Sequence, residues 1–194
     1  MEKHNSSHCI STTTKKKGVT QSSKVFSFYE MKNGSKISCH GKPKKSDIIR
    51  LKKEFGVNMI LTILYDKEKP ELIKQFTESV GDIKWKNLPL CGANMALFMK
   101  PQTQKMIIEC ISDILNYMKD NKTILFLHCA AGVHRTGTIL YTILRATGET
   151  KETAMEAIKA IRMETYRNCG SNRINYAEEF LVKPLLEVLN NNNK

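Results

Sequence analysis

Apolar residues along this chain fall into two alternating patterns, short unbroken runs and longer stretches with helical spacing. The runs predict strands at residues 25–29, 57–64, 83–88 and 123–128. Apolar positions three and four apart predict helices between and after them. One begins at Ser46 and Asp47, which suit an N-cap, and stops at Gly56. Pro70 starts another that runs to about residue 80, and Pro101 opens a long amphipathic one to residue 118. Three more follow the last strand, at 135–146, 151–163 and 175–189, the final one with Pro184 as an expected kink. Strands alternating with helices, then an all-helical end, predict an α/β fold. Its centre is a mostly parallel sheet of four to five strands flanked by helices, with a helical C-terminal part.

Chemistry concentrates where the last strand meets its helix, and there residues 128–137 read His-Cys-Ala-Ala-Gly-Val-His-Arg-Thr-Gly. A strand buried on both faces followed at once by a helix leaves residues 129–134 as a tight loop. Such a loop binds anions, because its amides and the helix N-terminus offer unsatisfied donors and the positive end of a dipole. Gly132 allows a positive φ there, and Gly137 allows close packing. Cys129 sits where that field favours a thiolate, bringing a thiol from about 8.5 to roughly 3.5–7.5 in known cases. Arg135 offers a planar fork to two phosphate oxygens, and Thr136 can place a hydroxyl near the sulfur.

These residues resemble the cysteine-dependent protein tyrosine phosphatase superfamily, whose signature His-Cys-x5-Arg-Ser/Thr is met by His128, Cys129, Arg135 and Thr136. The resemblance implies that Cys129 is the nucleophile forming a phosphocysteine and that Arg135 binds phosphate and the transition state. It implies that His128 tunes the cysteine, while Thr136 supports the sulfur as the intermediate breaks down. Ala130, Ala131, Gly132, Val133 and His134 become the phosphate-binding loop, with no cofactor and no metal required. The likeness spans roughly residues 24–180, and in its small size it looks like the atypical dual-specificity branch. It implies phosphorylated protein substrates, on Tyr or on Ser and Thr.

Members of that superfamily usually carry a general-acid Asp on a mobile loop ahead of the cysteine, often after a Pro. The corresponding stretch here, Leu88-Pro89-Leu90-Cys91-Gly92-Ala93-Asn94, has none, and no Asp or Glu occurs between residues 83 and 108. General acid catalysis is typically worth about 10²–10⁴-fold, so three alternatives stand. Asp66 or Glu68 at the neighbouring strand end, or His134 in the loop, supplies the proton, although the carboxylates also fit ordinary turn charges. Alternatively the leaving group needs no proton. The phenolate of phosphotyrosine has a pKa of about 10, and a phosphate leaving an anhydride has a second pKa of about 6. The third alternative is a phosphate-binding module that captures phosphorylated partners. RNA 5′-triphosphatases of the cysteine type resemble the chain in lacking that Asp. The inositol pyrophosphate phosphatases of plants and fungi resemble it in the His134-Arg135-Thr136-Gly137 ending, so phosphorylated RNA and inositol phosphates join the candidate partners.

Length and polarity fit one compact domain over residues 23–194. Residues 1–22 are a basic Ser/Thr-rich tail, too poor in apolar groups to offset the entropy of ordering. The formal net charge of +12 is concentrated in Lys15, Lys16 and Lys17 and in Lys42, Lys44, Lys45, Arg50, Lys52 and Lys53, which reads as a solvated basic face or as attraction to polyanions. Six cysteines without CxxC or framework spacing predict reduced thiols and a cytoplasmic or nuclear protein. No apolar run approaches the ~20 residues of a membrane span. Trp85 is expected as a core or loop anchor and Cys91 as a bystander thiol. Arg162, Arg167 and Arg173 are expected as solvated helix-end charges, and Glu109 with Asp113 as surface charges.

Overall fold

The structure, a computed structural model, describes residues 24–92 and 94–191. The tail expected over residues 1–22 lies outside them. Five strands, β1 (Tyr29–Glu30), β2 (Lys36–Gly41), β3 (Met59–Thr62), β4 (Lys84–Asn87) and β5 (Ile124–Cys129), form one sheet in the order β1-β2-β5-β3-β4. β1 pairs antiparallel with β2, and the other pairs are parallel. The predicted α/β class and mostly parallel sheet are therefore observed.

Helices cover both faces. On one side α1 (Lys45–Phe55) and α2 (Glu71–Val80) bury Ile48, Leu51 and Ile73 against Ile60 and Phe126. The other side carries α4 (Pro101–Asp120), after the short α3 (Met95–Phe98), and then α5 (His134–Ala146) and α6 (Lys151–Ile161). The chain ends in α7 (Met163–Cys169), α8 (Ser171–Ala177), a π turn at Glu178–Val182 and α9 (Lys183–Asn191). Side chains alternate along β5, so Leu125, Leu127 and Cys129 join this second core while Phe126 joins the first. Every residue of α5 from Arg135 to Leu144 is buried. That helix is the central post of the fold.

Several expectations need correction. The strand predicted at 25–29 is extended chain without ladder bonds up to Tyr29. A strand the sequence did not announce, β2, pairs with β5 on the side away from β3; its Lys-Ile-Ser-Cys-His-Gly sequence lacks an apolar run, although Ser38 and Cys39 are buried. Helix α1 begins after Lys44, not at Ser46, because the Asp47 carboxylate accepts the Lys44 amide at 2.9 Å. The helix predicted over 151–163 stops at Arg162, whose extended backbone (φ −159°) redirects the chain into α7. The last predicted helix is divided, and its expected kink takes the form of the π turn just before Pro184, which has no N–H to offer the carbonyl of Phe180. Glu178 in that turn accepts from Tyr141 at 2.6 Å and from Arg145 at 2.7 and 3.0 Å, clamping the C-terminal helices to α5. The surface charges behave as expected, Lys105 pairing with Glu109 and Lys86 with Asp113.

Gly137 is where α5 meets α7. A Cβ there would lie 2.5 Å from Cys169 Sγ and 2.9 Å from its Cβ. Gly137→Ala is therefore expected to destabilise the protein by about 1–3 kcal/mol through overpacking, measured as a lower urea midpoint at unchanged slope. An unaltered midpoint would show that α7 yields freely.

Candidate active site

Four strand ends face one edge of the sheet, and the register there aligns Gly41 with Cys129 and Thr62 with His128. The loop after Cys129 curls against the end of β2. Gly132 has φ +73°, and a Cβ on it would fall 2.2–2.4 Å from the backbone of His40 and Gly41, so only glycine fits. Its neighbours take up the loop's carbonyls one after another. Ala130 O accepts from Lys42 N at 3.0 Å, and Ala131 O from Arg162 Nη1 at 3.2 Å. Gly132 O accepts from Arg162 Nη1 and Thr165 Oγ1, each at 2.7 Å, and Val133 O accepts from Gly137 N at 2.7 Å. In a planar trans peptide the next N–H points opposite to the carbonyl. Outward carbonyls thus turn the amides of residues 131–134 inward, and the Gly132 amide already donates to Cys129 Sγ at 3.2 Å.

Cys129 is 3 % exposed, and burial alone would raise its pKa. The Thr136 hydroxyl and amide, the Arg135 guanidinium and the Gly132 amide outweigh burial, so the thiol titrates below its ordinary value. Thr136 Oγ1 is fully buried and out of hydrogen-bonding geometry with every acceptor in the resting site.

Arg135, 5 % exposed, is gripped end-on by Glu68. Nη1 donates to Glu68 Oε2 at 2.5 Å, Nη2 to Oε1 at 2.7 Å, and Nη1 also to Leu90 O at 2.8 Å. Those bonds use three of the five guanidinium N–H groups. The two left over, on Nε and Nη2, lie parallel along one edge, matched to two oxygens of a phosphate. The burial cost on Arg135 is offset by Glu68 and by the Cys129 sulfur, which keep its pKa above the ordinary value.

The family model for PTP-SAK, the DSP-PTPase phosphatase domain of the Swiss Army Knife protein, matches residues 27–181. This chain belongs to that family. It is a cysteine-based phosphatase with a dual-specificity phosphatase domain. Among solved structures it is similar to the core catalytic domain of the PP-IP phosphatase SIW14 from S. cerevisiae in complex with citrate. There the identity is 17 % over 86 % of this chain and 92 % of that one, with a TM-score of 0.61. It is also similar to kinase associated phosphatase with its catalytic-site cysteine replaced by serine, at 14 % identity, 84 % and 97 % coverage and TM-score 0.63. PTPMT1 in complex with PI(5)P aligns at 18 % identity, 84 % and 98 % coverage and TM-score 0.60. These likenesses establish the fold. No curated protein matches the sequence.

In this phosphatase His128 is fully buried beneath the cysteine. Trp85 Nε1 donates to Thr62 Oγ1 at 2.9 Å, and Thr62 Oγ1 lies 3.0 Å from His128 Nε2. Cys129 O, 3.3 Å from Nδ1, can only accept, which puts the ring proton on Nδ1, so Nε2 accepts from the Thr62 hydroxyl while Thr62 Oγ1 accepts from Trp85. Burial first, and then Lys42, Lys24 and Arg135, push the His128 pKa down to about 3 against the lift from the Cys129 carbonyl. The imidazole is a neutral strut. Trp85 is thus the anchor expected of it, reaching the site through Thr62.

The residues weighed as acids are dispersed. Asp66 is exposed in the 3-10 turn Asp66–Glu68 after β3. Glu68, in the same turn, is ionised, because Arg135 holds its carboxyl below the usual carboxylate value despite partial burial. His134 is exposed at the start of α5, with its pKa lowered by partial burial and by Arg173. The segment that lacks an Asp contributes the Leu90 carbonyl to Arg135, and its Asn94 caps α3 by accepting from Ala96 N at 2.9 Å. Arg162 is no solvated helix end but a brace for the loop carbonyls, and Arg173 is half-buried beside His134. Cys91 is exposed, and the five described cysteines are free thiols. Sequence reading missed Thr62, Thr165, Lys42 and the hold of Glu68 on Arg135, since each is distant in sequence from the loop it supports.

Two predictions follow the site's charges. Glu68→Gln weakens a charge-assisted pair worth about 1.5–3 kcal/mol and lowers kcat/KM by about tenfold to a hundredfold, with Glu68→Asp partly restoring it; wild-type kinetics in Glu68→Gln would contradict the brace. The second concerns acid stability. His128 titrates at about 3 and His40 at about 4 when folded, both far below the 6.5 of a free histidine. Below about pH 6.5 the unfolded chain binds protons that the folded chain refuses, so stability is full above that pH and falls on acidification. Urea midpoints should therefore drop between pH 6.5 and 5, above the carboxylate range, and a flat profile in that window would contradict the buried neutral imidazoles.

Proposed function

We propose that Cys129 is the nucleophile and Arg135 the phosphate-binding cation of a phosphatase working through a phosphocysteine. The observation that carries this reading is the Gly132 amide aimed at Cys129 Sγ, beside the Arg135 guanidinium, whose edge not held by Glu68 adjoins that sulfur. The thiolate attacks phosphorus in line, an S–P bond forms, and the P–O bond to the leaving group breaks with its electron pair going to oxygen. The inward amides and the Arg135 fork hold the equatorial oxygens, whose charge rises in the transition state. Water then attacks phosphorus, inorganic phosphate departs, and the sulfur leaves as a thiolate steadied by the Thr136 hydroxyl. A reducing compartment, cytoplasm or nucleus, keeps that thiol in working form.

Leaving-group chemistry narrows the substrate. Glu68 is bound to Arg135, partial burial and Arg173 lower the His134 pKa, Asp66 is exposed in the turn after β3, and Leu90 and Asn94 stand where an acid would be expected. Where no proton donor meets the leaving oxygen, expulsion of the alkoxide from phosphoserine or phosphothreonine forgoes about 10²–10⁴-fold. The phenolate of phosphotyrosine, near pKa 10, leaves more readily. The first reading is a protein phosphatase selective for phosphotyrosine within the dual-specificity fold. The second, a phosphatase for anhydrides such as inositol pyrophosphates, is favoured by the Lys42, Arg135 and Arg173 cations around the loop and by likeness to the PP-IP phosphatase SIW14.

Cys129→Ser should abolish turnover of p-nitrophenyl phosphate and still bind phosphate, and acid quench of the parental protein with labelled substrate should trap phosphocysteine. Parental rates in Cys129→Ser would refute the mechanism. Matched peptides should show phosphotyrosine cleaved at least about a hundredfold faster than phosphothreonine; equal rates would mean that a proton donor is present.

A further inference from the structure

Lys42 occupies a place at this edge that the reaction at Cys129 does not use. Its main chain is pinned on both sides, the amide donating to Ala130 O of the loop at 3.0 Å and the carbonyl accepting from Lys24 Nζ at 2.7 Å. Pro43 follows it and keeps its backbone out of the helical region. The half-buried side chain reaches across to β3's turn, where Nζ donates to Glu68 O at 2.6 Å. Glu68 therefore holds two cations at once, Arg135 by its carboxylate and Lys42 by its carbonyl. A carbonyl orients the ammonium without neutralising it, and two of its three N–H donors stay available. Burial apart, Lys42 precedes Lys24 and Arg135 among the charges that depress His128, directly under Cys129. With its amide on Ala130 O and its Nζ on Glu68 O, Lys42 stands between the loop and the turn that holds Arg135.

We propose that Lys42 forms a second anion subsite beside the catalytic loop and takes the phosphate adjoining the scissile one in a pyrophosphoryl substrate. This inference rests on the reading of Cys129 and Arg135 given above and extends it. When the anhydride P–O bond breaks, the electron pair stays on the departing phosphate. An ammonium at that oxygen stabilises the developing charge without transferring a proton, so the subsite serves a reaction that lacks a general acid. A monoester has no group to place there.

The test uses inorganic phosphate and inorganic pyrophosphate as competitive inhibitors of p-nitrophenyl phosphate hydrolysis by the full chain. Pyrophosphate is expected to bind at least about tenfold more tightly than phosphate, the scale of one charge-assisted contact. Lys42→Gln should lose most of that advantage, and Lys42→Arg should keep it. Equal inhibition constants for the two ions in the parental protein overturn the subsite, whether or not the variants fold. A full advantage in Lys42→Gln overturns it as well. If phosphate itself fails to compete, or turnover survives Cys129→Ser, the reading of Cys129 fails and the subsite falls with it. If phosphate competes and pyrophosphate gains nothing, only the subsite fails.

Discussion

The direction of the peptide groups between Cys129 and His134 is the constraint on which this molecule turns. Amides can face a bound anion only if their carbonyls face away, and a buried carbonyl without a donor costs on the order of 1–3 kcal/mol. The fold supplies donors from three directions: the Lys42 amide at the end of β2, Arg162 and Thr165 from the α6 and α7 junction, and the first turn of α5. Gly132 lets the loop lie on the backbone of His40 and Gly41, where any side chain would collide. The helices that follow α5 are thus part of that loop's support.

Charge at the site is arranged in layers around the sulfur. Beneath Cys129 lies a histidine kept neutral by burial and ordered by Thr62 and Trp85. Beside it Arg135 is fixed by Glu68 and Leu90 so that one edge stays open, and Lys42 is tied to the same glutamate through its carbonyl. The pairing of Glu68 with Arg135 settles two matters together. It orients the Arg135 guanidinium, and it keeps the Glu68 carboxylate ionised.

The missing acid has a structural counterpart in the segment before α3. Where a carboxylate would be expected, the chain presents the Leu90 carbonyl to Arg135 and the Asn94 side chain to the first turn of α3. That segment serves the arginine and the helix cap. Among the described residues no helix is long and apolar enough to cross a membrane.

Sequence alone determined the features written in neighbouring residues. The apolar run ending at His128, the glycine at 132, the spacing from Cys129 to Arg135 and the periodicity of α5 announced the sheet's central strand, the tight loop after it and the helix that follows, because strand, turn and helix preferences are local. The acid-free stretch around Leu88 was equally legible. Tertiary structure decided what joins distant segments. β2 carries Ser38 and His40 and has no apolar signature, yet pairing with β5 buries it. Glu68 looks like an ordinary turn charge until β3 and β5 stand side by side and set it against Arg135. Thr62, Arg162 and Thr165 gain their roles in the same way. Parallel strands joined by helices bring residues 30 to 88 positions apart to one edge, and no local pattern encodes which of them will meet there.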